Sequence, residues 1–90
     1  MNILHEPGRL WMESEDELLL AEVLYPEAAD GLVEITHTFV DDSLRGQGIA
    51  GNLMKAVAEE LRTEKKKALP VCSYAQAWFR RHPEYADVVR

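Results

Sequence analysis

The stretch Leu44-Arg45-Gly46-Gln47-Gly48-Ile49-Ala50-Gly51-Asn52-Leu53 constrains this chain most. It follows a run rich in β-branched residues and opens a strongly helical one. Three of the five glycines stand in it. Glycine lets backbone N–H groups turn toward a ligand with no Cβ in the way. A helix starting here leaves its first N–H groups unpaired and carries about half a positive charge at that end. Strand, glycine loop and helix N-terminus together make a phosphate-binding arrangement. We read the stretch as a pyrophosphate cradle; a plain glycine-rich turn between strand and helix is the alternative.

Ninety residues make one domain, 1–90, with a small core. A hydrophobic content of 47% and a charged content of 29% fit an ordinary globule. The net charge of −6 argues against non-specific nucleic-acid binding, which needs a basic surface. It does not argue against an anionic ligand, because local dipoles can outweigh global charge. The single cysteine excludes an internal disulfide framework and cannot form a zinc cluster alone, so no metal is expected. No apolar run approaches the roughly 20 residues of a membrane helix. Met1 to Pro7 has no basic region followed by an apolar stretch, so no signal peptide is expected and the cytoplasm is the expected location.

Along the chain, Arg9 to Met12 reads as a strand with Trp11 in the core. Leu18 to Tyr25 reads as a second strand, although its Leu and Ala also allow a helix. Pro26 ends it, and Asp30-Gly31 marks a tight turn. Leu32 to Val40 predicts one strand, with Val33, Ile35, His37 and Phe39 on one face. The first half is thus an antiparallel meander. The helix after the glycine loop is expected to run to about Lys65, with Ile49, Leu53, Val57 and Leu61 forming an apolar stripe. Lys65-Lys66-Lys67 is a solvated helix end, where cations complement the dipole. Ala68 to Cys72 predicts a strand returning parallel to the preceding one, a right-handed βαβ crossover, with Pro70 at an edge. Ser73 can cap a second helix, Tyr74 to about Arg81. His82-Pro83-Glu84-Tyr85 breaks that helix before a short tail.

The loop lacks the lysine of an ATP-binding P-loop. Arg45-Gly46-Gln47-Gly48-Ile49-Ala50 instead reads Arg-x-x-Gly-x-Ala. This resembles the acetyl-CoA signature of the GNAT acyltransferase superfamily. With Ile35 to Val40, Cys72-Ser73-Tyr74-Ala75 and Pro83-Glu84-Tyr85, the chain is similar to the small single-domain YjdJ-type branch of that superfamily from about Arg9 onward. The resemblance implies an α/β (α+β) fold in which the meander leads into splayed parallel strands, here Thr36–Val40 and Leu69–Cys72, and a C-terminal helix. It implies acetyl-CoA as cosubstrate and an amine acceptor, either a small molecule or a peptide. N–H groups from Arg45 to Ala50 (Arg45, Gly46, Gln47, Gly48, Ile49 and Ala50) would hold the pyrophosphate. Phe39 and Val40 would pair with the pantetheine amides, with Ser73 near the same path. The Arg45 side chain would neutralise phosphate or face solvent.

Cys72 stands at a strand end and before a helix, two settings that favour a thiolate. It could line the acetyl site, accept acetyl transiently, or be a small buried residue. His37 is the general-base candidate, since imidazole titrates near neutrality; a hydrogen-bonded sheet residue is the alternative. Glu34 and Glu22 are possible substitutes, although strand carboxylates are usually exposed and solubilising. Tyr74 is a candidate acid toward the leaving thiolate, at a position unusual for the family. Trp78 and Phe79 read as packing of the last helix, with contact to the adenine or the pantetheine end of the cofactor as the alternative. His82 reads as a turn residue. The helices that build the acceptor site in larger relatives have no room before Arg9, so the acceptor is undefined. The expected state is a monomer or weak homodimer binding neither nucleic acid nor membrane. The function read from this is N-acetyl transfer; a non-catalytic CoA-binding or acyl-sensing module and a small interaction domain are the alternatives.

Overall fold

A computed structural model describes residues 2–90. These form strands β1 (Asn2–Glu6), β2 (Arg9–Glu13), β3 (Leu19–Leu24), β4 (Glu27–Ala29), β5 (Leu32–Ile35), β6 (His37–Val40) and β7 (Lys67–Pro70), with helices α1 (Ile49–Glu64) and α2 (Ser73–Arg81). The fold is mixed α/β, with one sheet ordered β1-β2-β3-β6 and another ordered β4-β5-β7.

Strand β1, not anticipated from its own residues, forms a hairpin with β2 across Pro7-Gly8. Gly8 has φ +80°, and a Cβ there would stand 3.3 Å from Pro26 Cα, so only glycine suits this turn. Period-2 alternation buries Leu10 and Met12 of β2, and Ala21 and Val23 of β3. Trp11 therefore falls on the other face. It is half-buried, with Arg9 stacked 3.8 Å from its ring centroid, and is not a core residue. Glu22 shares that face but is 9% exposed, so it is no solubilising carboxylate.

The strand expected over Leu32–Val40 is two strands. Thr36 is an extra residue that shifts the alternation by one. Val33 and Ile35 face the core, but beyond Thr36 the register Val23↔Thr38 and Ala21↔Val40 turns Thr38 and Val40 to that side. His37 is exposed, opposite Leu24, and Phe39 lies opposite Glu22. Thr36 N–H donates to Leu24 C=O at 3.0 Å and Glu34 N–H to Pro26 C=O at 2.9 Å, so the hairpin passes from one sheet to the other at a bend.

Parallel pairing of β5 with β7 runs from Leu32↔Lys67 to Ile35↔Pro70 and stops. Val71 and Cys72 N–H both donate to Ile35 C=O at 3.0 Å. From there β6 follows β3, while the other chain enters α2, and the two part. This is the expected splay, and Pro70 sits at the last paired position of an outer strand. The apolar stripe of α1 buries Leu53, Met54, Val57, Ala58 and Leu61 against the sheets.

The tail after α2 is part of the core. Residues Pro83–Val88 form a 3₁₀ segment that buries Tyr85 and Val88. Arg62 of α1 fastens it, donating to Asp87 Oδ1 at 2.6 Å and to Glu84 C=O at 2.7 Å. That guanidinium holds the Asp87 carboxyl below its usual pKa. Arg90 N–H then donates to Ala68 C=O at 3.0 Å, beside β7.

Candidate active site

The loop into α1 is shaped locally. Asp41 Oδ2 accepts from Ser43 N–H at 3.0 Å and from its hydroxyl at 2.6 Å, which lowers the Asp41 pKa. Leu44 is buried as an anchor. Gly46 and Gly48 then adopt φ +83° and +72°, and a Cβ on either would point into open space. Gly48 is the N-cap of α1. Ser, Thr, Asp or Asn here would cover the first amides with its own oxygen, whereas Gly48 has no side chain to do so. Asn52 N–H donates to Gly48 C=O at 3.0 Å, so the N–H groups of Ile49, Ala50 and Gly51 precede the helical ladder.

These residues line a cavity of about 180 Å³ with Val40, Arg45 and Tyr74. Arg45 itself is exposed and paired with Asp42 at 2.9 Å. Gln47 and Ser73 are exposed and do not line the cavity. Beside it a groove of about 590 Å³ runs between α1 and α2, bordered by Asn52, Lys55, Trp78, Arg81 and His82. Gly51 separates the helices here; a Cβ on it would stand 3.6 Å from Trp78 Nε1 and 3.7 Å from the Tyr74 hydroxyl. Burial raises the Tyr74 pKa, against a smaller lowering by Arg81, so the phenol keeps its proton at neutral pH. Trp78 is buried and stacked on His82 at 4.0 Å, while His82 Nδ1 lies 2.7 Å from Trp78 C=O.

Strand β6 is the outer strand of its sheet. Asp41 N–H donates inward to Leu20 C=O at 2.7 Å. Alternation then leaves the amides of Val40 and Thr38 on the free edge and turns those of Phe39 toward β3. Thr38, not Phe39, therefore accompanies Val40 on that edge; the bulge at Thr36 hides this from a reading of strand periodicity. Across the fork, Thr38 Oγ1 lies 3.4 Å from Cys72 Sγ. Cys72, not Ser73, caps α2, its Sγ accepting from Ala75 N–H at 3.4 Å. The strand leads Cys72 to the position where an N-cap must stand, and Ser73 is already helical.

His37 is on the opposite face from these groups. Its Nε2 lies 3.8 Å from Glu22 Oε1, and Arg9 Nε donates to Glu22 Oε2 at 2.5 Å. The structure thus gathers Val40, Arg45, Gly46, Gly48, Ile49, Ala50 and Tyr74 around one cavity, sets Cys72 at the fork, and keeps His37 and Phe39 on the far face.

The residues present fit a CoA-type cosubstrate. Uncapped helical amides and glycines with open space suit a diphosphate, a free strand edge suits amide groups, and Lys55 and Arg81 put cations beside the adjoining groove. Among the described residues, no group of three or more His, Cys, Asp or Glu side chains could hold a metal ion, and no helix is long and apolar enough to cross a membrane.

A family model described as GCN5-related N-acetyl-transferase matches residues 9–88. Protein NATD1 of Gallus gallus is 36% identical over 63 residues, covering 70% of this chain and 57% of that protein. Its Homo sapiens counterpart is 36% identical over 63 residues, covering 70% of this chain and 56% of that protein. The chain spans somewhat over half the length of these curated relatives. A solution structure of a GCN5-like candidate N-acetyltransferase from Staphylococcus aureus matches with a TM-score of 0.84 at 30% identity, covering 99% of this chain and 87% of that one. A crystal structure of a GNAT-family acetyltransferase from Staphylococcus aureus Mu50 gives a TM-score of 0.63 at 11% identity, covering 82% of this chain and 50% of that one, a likeness of fold alone. With the family model spanning nearly all of its length, this chain belongs to the GCN5-related N-acetyltransferase family.

Proposed function

We propose that this chain binds acetyl-CoA and passes its acetyl group to an amine. One observation carries the reading: an uncapped helix N-terminus and a free strand edge lead together to a fork at Cys72. The cosubstrate, when bound, supplies an activated acetyl thioester. The amides of Ile49, Ala50 and Gly51 would hold its diphosphate, helped by the positive end of α1. The edge amides of Thr38 and Val40 would pair with the pantetheine arm as an added strand. Lys55 and Arg81, beside the groove between the helices, would balance phosphate charge at the nucleotide end.

The chemistry divides between the two faces. Tyr74 lines the cavity, burial raises its pKa, and it would donate its phenolic proton to a departing thiolate. On the other face, His37 accepts a proton from the incoming ammonium. The Glu22 carboxylate lies 3.8 Å from its Nε2. The amine then attacks directly, and Cys72 lines the fork without carrying the acetyl group.

Calorimetry with CoA, followed by acetyl-CoA turnover over a panel of amines, tests this. Binding with turnover supports it. Absence of CoA binding overturns it, and binding without turnover on any amine replaces transfer by CoA binding or acyl sensing.

A further inference from the structure

Helix α2 turns a line of donors toward α1. Tyr74, Trp78 and Arg81 recur at helical spacing and all border the groove of about 590 Å³ between the helices. Asn52 and Lys55 of α1 border it from the other side. Among the described residues, neither Lys55 nor Arg81 takes part in an ion pair. Glu84 is the one carboxylate on the rim. The groove is thus locally cationic in a chain of net charge −6.

Trp78 is 4% exposed. His82 stacks on its ring at 4.0 Å and Phe79 meets it edge-on at 5.1 Å, which fixes the direction of the indole. Its nitrogen points at α1, 3.6 Å from where a Cβ on Gly51 would stand. The indole N–H of Trp11 donates to Glu13 Oε2 at 3.0 Å. That of Trp78 has no hydrogen-bond partner among the described residues. It keeps access to the groove, since the Tyr25 hydroxyl is the one fully enclosed side-chain polar atom left unpaired. A buried indole N–H usually finds a partner. Indole, guanidinium and ammonium groups only donate, so the missing partner is an acceptor, and the cations on both walls favour an anion.

The diphosphate assigned to the amides of Ile49, Ala50 and Gly51 leaves these side chains unused. Lys55 stands about 9 Å beyond Ile49 along the axis of α1, a length that one ribose and a lysine side chain cover together. We propose that the groove binds the 3′-phosphate of CoA, with the Trp78 N–H, the Lys55 ammonium and the Arg81 guanidinium donating to its oxygens. The inference rests on the cradle being a CoA site and adds a choice that the cradle cannot make. CoA and dephospho-CoA carry the same diphosphate and pantetheine arm, so main-chain amides treat them alike. Trp78, Lys55 and Arg81 select the 3′-phosphorylated form, and the buried indole is a specificity-determining group as well as a packing one.

Calorimetry with CoA and with dephospho-CoA, at low and at high salt, is the test. CoA should bind about tenfold or more tightly, and the gap should narrow as salt screens the cations. Trp78→Phe should lower CoA affinity about fivefold or more and leave dephospho-CoA affinity within about twofold. Lys55→Gln should lower CoA affinity alone by about threefold or more; Lys55 is exposed, so this variant keeps the fold even where loss of the indole does not. In NMR spectra the indole proton of Trp78 should move with CoA and with adenosine 3′,5′-bisphosphate but not with dephospho-CoA, and that of Trp11 with none of them. Equal affinities for CoA and dephospho-CoA overturn the proposal and leave the cradle standing. So do equal losses for both ligands in Trp78→Phe and Lys55→Gln, since these groups would then serve the diphosphate. If neither ligand binds, the cradle falls and this inference with it.

Discussion

A single substitution in the first turn of α1 should move stability and cosubstrate binding in opposite directions. Ala50 is half-buried, lines the cradle, and precedes the first bond of the helical ladder. A glutamate there meets the positive end of the helix, which is worth about 0.3–1 kcal/mol in favour of folding. That outweighs or cancels the few tenths lost in helix propensity relative to alanine. The same carboxylate stands where a diphosphate must sit. At a separation of about 6 Å, each phosphate charge costs about 0.7 kcal/mol in a water-like medium and about 2.8 kcal/mol at an effective dielectric of about 20. The cradle is open to solvent, so two charges together give about 1.5–3 kcal/mol, roughly a 10- to 150-fold loss of CoA affinity. Calorimetry with CoA at low and at high salt measures it, and the loss should shrink as salt screens the pair. Ala50→Gln carries similar bulk without charge and should change affinity by no more than about threefold. Undiminished CoA binding by Ala50→Glu, with a thermal midpoint at or above the parent's, would refute the assignment of these amides to the diphosphate. Equal losses in both variants would show that shape, not charge, is at work. Substituting Gly48 is a poorer probe, because its φ of +72° strains any side chain.

Four further outcomes follow from the same geometry. His37→Ala should lower turnover by about 10²–10⁴-fold with CoA affinity unchanged, since its side chain faces away from the cradle; a change in affinity alone would remove it from proton transfer. Cys72→Ala should keep turnover within about tenfold, losing only a weak cap and the Thr38 contact; abolished turnover with intact CoA binding would instead point to acetyl transfer through the thiol. Val88→Ala should cost about 1–2 kcal/mol in urea unfolding, because Val88 is 1% exposed; a value within about 0.5 kcal/mol would make the tail a surface feature. Ser43 and Arg62 hold Asp41 and Asp87 below the usual carboxylate pKa. A lowered folded-state value contributes stability that is complete above the unfolded pKa and is lost as pH falls through the folded one. Urea midpoints should therefore drop from about pH 5 toward pH 2, and less steeply in Asp41→Asn and Asp87→Asn; slopes identical to the parent's would remove these carboxylates from the acid transition.

What could be read from the residues was what is local. The four-residue recurrence of Ile49, Leu53, Val57 and Leu61 marks a helix without reference to anything else, and Gly46 and Gly48 mark left-handed turns because few other residues suit them. The misreadings share a different cause. Glu22 is buried because Arg9, on the neighbouring strand, neutralises it. Asn2 to Glu6 is a strand because β2 gives its backbone a partner. Tyr85 and Val88 are core residues because Arg62 and Glu59 of α1 fasten the tail over them. None of these causes lies within the segment it shapes.

Thr36 shows how one such non-local event arranges the whole site. Residues Leu32 to Val40 are β-formers throughout, and nothing in their order marks the extra residue. Had the strand stayed regular, His37 and Phe39 would share the α1 side with Val33 and Ile35. The one-residue slip instead gives that side to Thr38 and Val40, whose amides also point to the free edge. It sends His37 to the face of Glu22 and Arg9. The edge amides proposed to hold the cosubstrate and the imidazole proposed to accept a proton thereby stand on opposite sides of one strand. The extra residue at Thr36 thus decides which side of the strand carries each group.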